Sequence, residues 1–177
     1  MQWVRVNKPH PKTILGIDPG SHVTGYGIIC ADGKTWKPLD FGAIRPPSST
    51  NKQNRYLVIF EAVEHLITTF HPEALAVETQ FVYKNVLSAL KLGMACGAVL
   101  IAAAKWNVPV FEYAPKKIKL AVVGSGSASK HQVQHMIQKQ LSLPTLPQPA
   151  DAADALAIAL CHAHNKDISC LNTFVAN

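Results

Sequence analysis

The chain has 177 residues, of which 48% are hydrophobic and 16% are charged. This length fits one domain, and the apolar content excludes a chain too polar to bury a core. The formal net charge of +6 favours a polyanionic partner over a cationic one.

Three strands open the predicted fold. Residues 13–18 (TILGID) are apolar and end at an Asp-Pro-Gly turn. Residues 24–31 (TGYGIICA) predict a second strand, which a turn at Asp32-Gly33 connects to a third over about 35–44. The short connections predict an antiparallel meander.

Helices alternate with strands in the rest of the chain. The predicted order is a helix over 51–70, a strand over 74–78 (ALAVE), a helix over 84–105 and a strand over 108–113. Residues 115–126 are basic and then glycine-rich, and we assign no helix there. Ser127 or Ser129 can cap a helix to about 141, and a last helix runs from about Asp151 to His164. The order indicates an α/β fold with a mixed sheet, parallel after its antiparallel start and flanked by helices.

Cysteine usage and the apolar segments bear on location. Cys30, Cys96, Cys161 and Cys170 form no CxxC pair and match no zinc spacing, so we expect free thiols in a reducing compartment. Residues 1–12 lack the apolar stretch of a signal peptide. The longest apolar run, 93–104, is shorter than the roughly 20 residues that span a bilayer. We expect a cytoplasmic protein without membrane contact.

Charge is unevenly distributed along the chain. Between Glu112 and Asp151 there is no acidic residue, whereas lysine occurs repeatedly, at Lys116, Lys117, Lys119, Lys130 and Lys139. A region of one sign attracts a polyanion and favours nucleic-acid binding. The alternative is an ordinary solvated basic surface.

Four carboxylates stand out by their positions, because two end apolar strands, where an unpaired charge is unfavourable, and two lie close together on one helix. Asp18 and Glu78 end apolar strands, and Asp151 with Asp154 lie three apart at the start of the last helix, on one face. Mg²⁺ prefers oxygen ligands, and two such ions can stabilise both oxygens of a phosphodiester displacement. Alternatively, Asp18 makes an Asx-turn and Asp151 is only an N-cap.

Several segments resemble the RuvC family of Holliday-junction resolvases over about residues 13–164. They are GIDPGS (16–21), TGYG (24–27), Glu78 with Phe81, KN (84–85), SALKLG (88–93), VVG (122–124) with Gly126 and Lys130, VQHM (133–136) and DAADALA (151–157). The resemblance implies a ribonuclease-H-like fold, with an N-terminal extension over 1–12, a nuclease domain over 13–165 and a tail over 166–177. We expect parts of the extension to be disordered.

The resemblance also implies an activity, partners and site residues. The family cuts four-way junctions by paired nicks as a homodimer, and works with the RuvA and RuvB branch-migration proteins. By position, Asp18, Glu78, Asp151 and Asp154 are the metal-binding catalytic carboxylates for two Mg²⁺ per subunit, which Mn²⁺ can replace. Lys119 and Lys130 match functional lysines, with Lys130 catalytic as well as DNA-binding. Phe81 matches an aromatic residue that stacks on a DNA base. We expect Lys116 and Lys117 to contact phosphates generically.

Three other interpretations remain open at this stage. An ATPase of the actin and sugar-kinase type also places Asp before a glycine turn, although it needs a second domain. A junction-binding module without catalysis is possible, as is a YqgF-type nuclease with another substrate.

Two smaller patterns are set aside or left undecided. His131 and His135 lie four apart on a predicted helix, but with no HExxH motif and no third ligand we interpret them as a surface pair. Gly93 and Gly97 permit close packing, either in the core or between subunits.

Overall fold

Five strands form one mixed sheet in the computed structural model, which describes residues 12–32, 35–49, 51–79 and 86–165. The strands are β1 (Lys12–Asp18), β2 (Thr24–Asp32), β3 (Thr35–Ile44), β4 (Ala74–Glu78) and β5 (Val110–Tyr113). Their order in the sheet is β3-β2-β1-β4-β5. The pairs β1–β2 and β2–β3 are antiparallel, and β1–β4 and β4–β5 are parallel. The predicted fold class is confirmed.

Within the described ranges, five helices flank the sheet. They are α1 (Lys52–Phe70), α2 (Val86–Lys105), α3 (Pro115–Val123), α4 (Lys130–Gln140) and α5 (Ala150–His164). Side chains alternate along β1, so Leu15 and Ile17 pack with α1 and α2 on one face. Ile14 packs on the other face, in the cluster that includes α3, α4 and α5. The sheet is therefore the middle of three layers.

Helix α3 corrects the sequence analysis, which assigned no helix to 115–126. Pro115 stands at the start of the helix, where a missing N–H costs nothing. Ile118 and Val122 are buried one turn apart, while Lys116 and Lys117 before them are exposed. Gly124 ends the helix in the left-handed conformation, with φ of 82°. The segment has the pattern of a short amphipathic helix, which its basic composition made difficult to recognise in the sequence.

Helix α5 is the most deeply packed helix. Every residue from Ala155 to His162 is buried, and the helix lies across β1 and β2. Glycines on those strands permit this approach, because a Cβ at Gly16 would overlap the carbonyl oxygen of Ala155. A Cβ at Gly25 would likewise overlap the carbonyl oxygen of Asp151. The strand glycines therefore set how close α5 comes to the sheet.

Helix α2 has one buried face and one exposed apolar face. Ala95, Ala98, Val99, Ala102 and Ala103 are buried. By length and composition it is the single helix of the described ranges able to cross a membrane. The sequence analysis considered only the apolar run at 93–104, and the helix is longer than that run. A core helix of a soluble protein passes the same test, and α2 packs against α1. Gly93 and Gly97 have open space where a Cβ would stand, so they do not serve close packing against the described part of this chain.

Candidate active site

Adjacent parallel strands bring the first two carboxylates together. Ile17 of β1 is in register with Val77 of β4, and the next residue of each strand is acidic. Asp18 and Glu78 therefore end neighbouring strands at the same edge of the sheet. The main-chain N–H of Gly20 donates to Oγ1 of Thr24, whose hydroxyl donates to the carbonyl of Gly20, which closes the turn after Asp18.

The start of α5 brings the other two carboxylates, Asp151 and Asp154, to the sheet. Asp151 and Asp154 lie in and just after the first turn of that helix, next to β2 through the close approach at Gly25. The N-cap of α5 is Pro149, with no side-chain cap hydrogen bond. The alternative that Asp151 is an N-cap is therefore wrong, and its carboxylate is available for another role.

The four carboxylates are close enough for their charges to repel one another. The pKa of Asp18 is raised from 3.8 to about 7, first by burial and then by the negative charges of Asp154, Glu78 and Asp151. Burial, followed by the charge of Asp154, also raises the pKa of Glu78. The fold therefore concentrates negative charge where the ionised form of Asp18 is unfavourable.

Two lysines face this charge from α3 and α4. The ammonium of Lys130 lies 2.6 Å from Oδ2 of Asp154, and this hydrogen bond raises the pKa of Lys130. Lys119 and Lys130 both act to lower the pKa of Glu78. Both line a pocket of about 230 Å³ together with Glu78 and Asp154. Its apolar lining comes from Pro115, Ile118, Val133, Ala157 and Ile158.

The other predicted DNA contacts fall elsewhere. Lys116 and Lys117 are exposed on α3, outside this pocket. The ammonium of Lys117 lies 5.2 Å from the centre of the Tyr113 ring. Phe81 lies outside the described residues. The apolar lining of the pocket was not predicted from the sequence. Its only signal there is that Ile118 is next to Lys119 and that Val133 lies three residues after Lys130.

The donor set fits a hard divalent cation. Carboxylate oxygens are the ligands that Mg²⁺ prefers, and a cation among these four would offset the repulsion that raises the pKa of Asp18. As the side chains stand, no three His, Cys, Asp or Glu residues of the described ranges are grouped closely enough to ligate one ion. The ammonium of Lys130 is the positive charge in contact with Asp154.

Comparisons with known proteins point to one family. Residues 14–162 match the family model described as "Crossover junction endodeoxyribonuclease RuvC". A protein of that name from Protochlamydia amoebophila is 57% identical over 150 residues, which cover 85% of this chain and 89% of that protein. The Vibrio vulnificus (strain CMCP6) protein of the same name is 52% identical over 159 residues, covering 89% and 91% of the two chains.

A solved structure agrees with these matches. The structure titled "T. thermophilus RuvC in complex with Holliday junction substrate" superposes with a TM-score of 0.83 at 38% identity, covering 86% of this chain and 93% of that one. These similarities favour the resolvase interpretation over the ATPase and YqgF-type alternatives.

Proposed function

Because the chain belongs to the RuvC family of crossover junction endodeoxyribonucleases, we propose that it resolves Holliday junctions by hydrolysing phosphodiester bonds at the four-carboxylate site. The family is metal-dependent. The observation that carries the proposal is that β1, β4 and the start of α5 bring Asp18, Glu78, Asp151 and Asp154 to one edge of the sheet, where the other three charges help to raise the pKa of Asp18. A junction-binding module without catalysis has no need of this destabilised arrangement.

Asp18, Glu78, Asp151 and Asp154 would hold the metal, and we propose two Mg²⁺ per subunit with Mn²⁺ able to substitute. When bound, such ions supply an activated water and charge stabilisation for in-line displacement at phosphorus. Asp18 is suited to the central position because three other carboxylates act on its charge. The products would be 5′-phosphate and 3′-hydroxyl ends.

The chain's own cations would act on the DNA phosphate. Lys130 starts α4, whose N-terminus carries partial positive charge, and its ammonium reaches the carboxylates. It is therefore suited to offset negative charge that grows on the phosphate in the transition state. Lys119, which lines the same pocket, would hold the DNA backbone. Lys116 and Lys117 would contact phosphates farther along the strand.

Paired nicks need two active sites, and we propose that a homodimer supplies them through α2. Apolar side chains of α2 are exposed in the single chain, with Val86 at 76%, Leu87 at 70%, Leu90 at 57% and Ile101 at 63%. The open space at Gly93 and Gly97 allows a second backbone to come close. Apolar faces of this kind mark interaction surfaces.

Other parts of the proposal follow from family membership. They are stacking of Phe81 on a DNA base, cooperation with RuvA and RuvB, a role in homologous recombination and DNA repair, and a cytoplasmic location. The domain limits also remain a proposal, with the nuclease domain over 13–165.

The test is strand cleavage of a synthetic mobile four-way junction, with linear duplex of the same sequence as control. We expect paired symmetric nicks in the junction with Mg²⁺, none with EDTA, and none from Asp18→Asn. Tight junction binding without nicks in either Mg²⁺ or Mn²⁺ would overturn the proposal, and so would equal cutting of the duplex.

A further inference from the structure

Two histidines on α4 bring one ring nitrogen each within hydrogen-bond distance of the other. Nε2 of His131 lies 3.1 Å from Nε2 of His135, and the ring centres are 4.2 Å apart at an angle of 76°. Both side chains are exposed. The spacing of four residues places them on one face, but it is the convergence of the two nitrogens that suggests a ligand.

The nitrogen separation matches the bite of a transition-metal ion. Zinc–imidazole bonds are about 2.0–2.1 Å, so two ligand nitrogens at angles between 90° and tetrahedral lie about 2.8–3.4 Å apart. The observed 3.1 Å falls in this range. In their present arrangement the rings share a hydrogen bond, so the donating ring must carry its proton on Nδ1 instead before both Nε2 atoms can bind an ion.

Helix α4 holds the pair rigidly in place. Ser129 and Gln132 form a reciprocal capping box at its start. Val133 and Ile137 anchor its opposite face in the core, at 6% and 0% exposure. The backbone therefore needs no rearrangement to keep the two imidazoles one turn apart.

We propose that His131 and His135 form a second metal site, for a borderline divalent transition ion such as Zn²⁺ or Ni²⁺, with water in the remaining positions. Two nitrogen ligands select such ions over Mg²⁺, which the carboxylate site favours. This inference rests on the geometry of α4 and not on the proposed function. The neighbouring charges on α4, Lys130 and Lys139, oppose a cation, although Lys130 is paired with Asp154. We therefore expect moderate affinity.

The test is a Zn²⁺ titration of the full-length, metal-stripped protein in excess Mg²⁺, followed by calorimetry and by the ¹⁵N resonances of the histidine rings. We expect the Nε2 resonances of two histidines to shift together. His131→Gln and His135→Gln should each weaken Zn²⁺ binding by about tenfold or more, because one of two nitrogen ligands is lost. His65→Gln, an exposed histidine of α1, is the matched control and should leave affinity unchanged.

Equal Zn²⁺ affinity in wild type and both α4 variants would overturn the proposal, as would shifts confined to other histidines. Thermal unfolding of each variant checks that the fold is kept. Junction cleavage in Mg²⁺ without Zn²⁺ should be the same in all four proteins. A chain that cuts no junction would still give the zinc result, so the two proposals fail independently.

Discussion

The ammonium of Lys130 lies 2.6 Å from a carboxylate oxygen of Asp154, so a positive side chain already stands among the four acidic ones. The two side chains remain 58% and 30% exposed, and an exposed ion pair contributes at most about 1 kcal/mol to stability. The pair therefore matters for the charge of the site more than for holding the fold together.

From this relationship we expect Lys130→Gln to slow cleavage much more than it weakens binding. Loss of one group that stabilises transition-state charge lowers the rate by about 10²–10³-fold. Single-turnover cleavage of a pre-bound junction in Mg²⁺ measures the effect. The matched control is Lys139→Gln, in the last turn of the same helix, which should cut at nearly the wild-type rate. Equal rates for the two variants would contradict the role of Lys130.

The raised pKa of Asp18 predicts that its charge destabilises the metal-free protein. A carboxyl with a folded pKa of about 7 and an ordinary value of 3.8 holds its proton more tightly in the folded state. Stability is therefore lost as pH rises from about 4 to 7. Asp18→Asn should be more stable than wild type at pH 8, by up to roughly 4 kcal/mol, and the gain should shrink at pH 5.

Urea unfolding of metal-free protein at the two pH values measures this difference. Glu73→Gln, at an exposed carboxylate, is the control and should show little change. Saturating Mg²⁺ should reduce or reverse the advantage of Asp18→Asn, because the ion stabilises only the folded wild type. If Asp18→Asn were less stable than wild type at pH 8 without metal, the charge of Asp18 would not destabilise the folded protein.

A buried histidine predicts a separate pH effect at the far end of α5. His162 is 5% exposed, its Nδ1 lies 2.7 Å from the hydroxyl of Tyr113, and burial lowers its pKa from 6.5 to about 4. As pH falls from 6.5 to 4 the unfolded chain takes up a proton that the folded chain does not. This histidine therefore removes up to roughly 3 kcal/mol of stability over that range.

His162→Asn should flatten the dependence of unfolding free energy on pH between 4 and 7, even though it loses packing at every pH. Urea titrations across this range measure the slope. His164→Asn, on the same helix but exposed, should keep the wild-type slope. If both variants keep that slope, His162 is not the group responsible.

The exposed apolar face of α2 predicts a dimer that one charge can break. Leu90 is 57% exposed beside the open space at Gly93. Leu90→Asp would place a charge in an apolar contact, and we expect a monomer by sedimentation equilibrium where wild type is a dimer. Leu39→Asp, at a 48% exposed leucine of β3, should stay dimeric. Identical masses for the two variants would argue against an α2 interface.

The sequence of strands and helices along the chain and most helix limits followed from the amino-acid sequence, since the apolar runs and the helical spacing were clear. The exceptions have local causes. Helix α3 begins at a proline that also serves as a helix breaker in other contexts. Strand β5 begins at Val110 and not at 108, and Pro109, which lacks an N–H, precedes it.

The sequence indicated candidate residues for the site but not its geometry. Periodicity places Asp18 at a strand end and Asp154 on a helix, but it does not say that the two meet. They meet because Gly16 and Gly25 lack side chains where α5 crosses the strands, and a contact between residues so distant in sequence leaves no periodic signal. The position of Lys119 in the pocket likewise depends on α3, which the sequence analysis did not assign.

Helix α5 carries two of the four carboxylates that we propose hold the metal, and it is also the most deeply packed helix. Its amide protons should exchange with solvent only through global opening of the chain, whereas those of exposed turns exchange by local fluctuation. The part of the acidic site on α5 would then unfold only when the whole chain unfolds. Denaturant should abolish nuclease activity and native circular dichroism along one common curve.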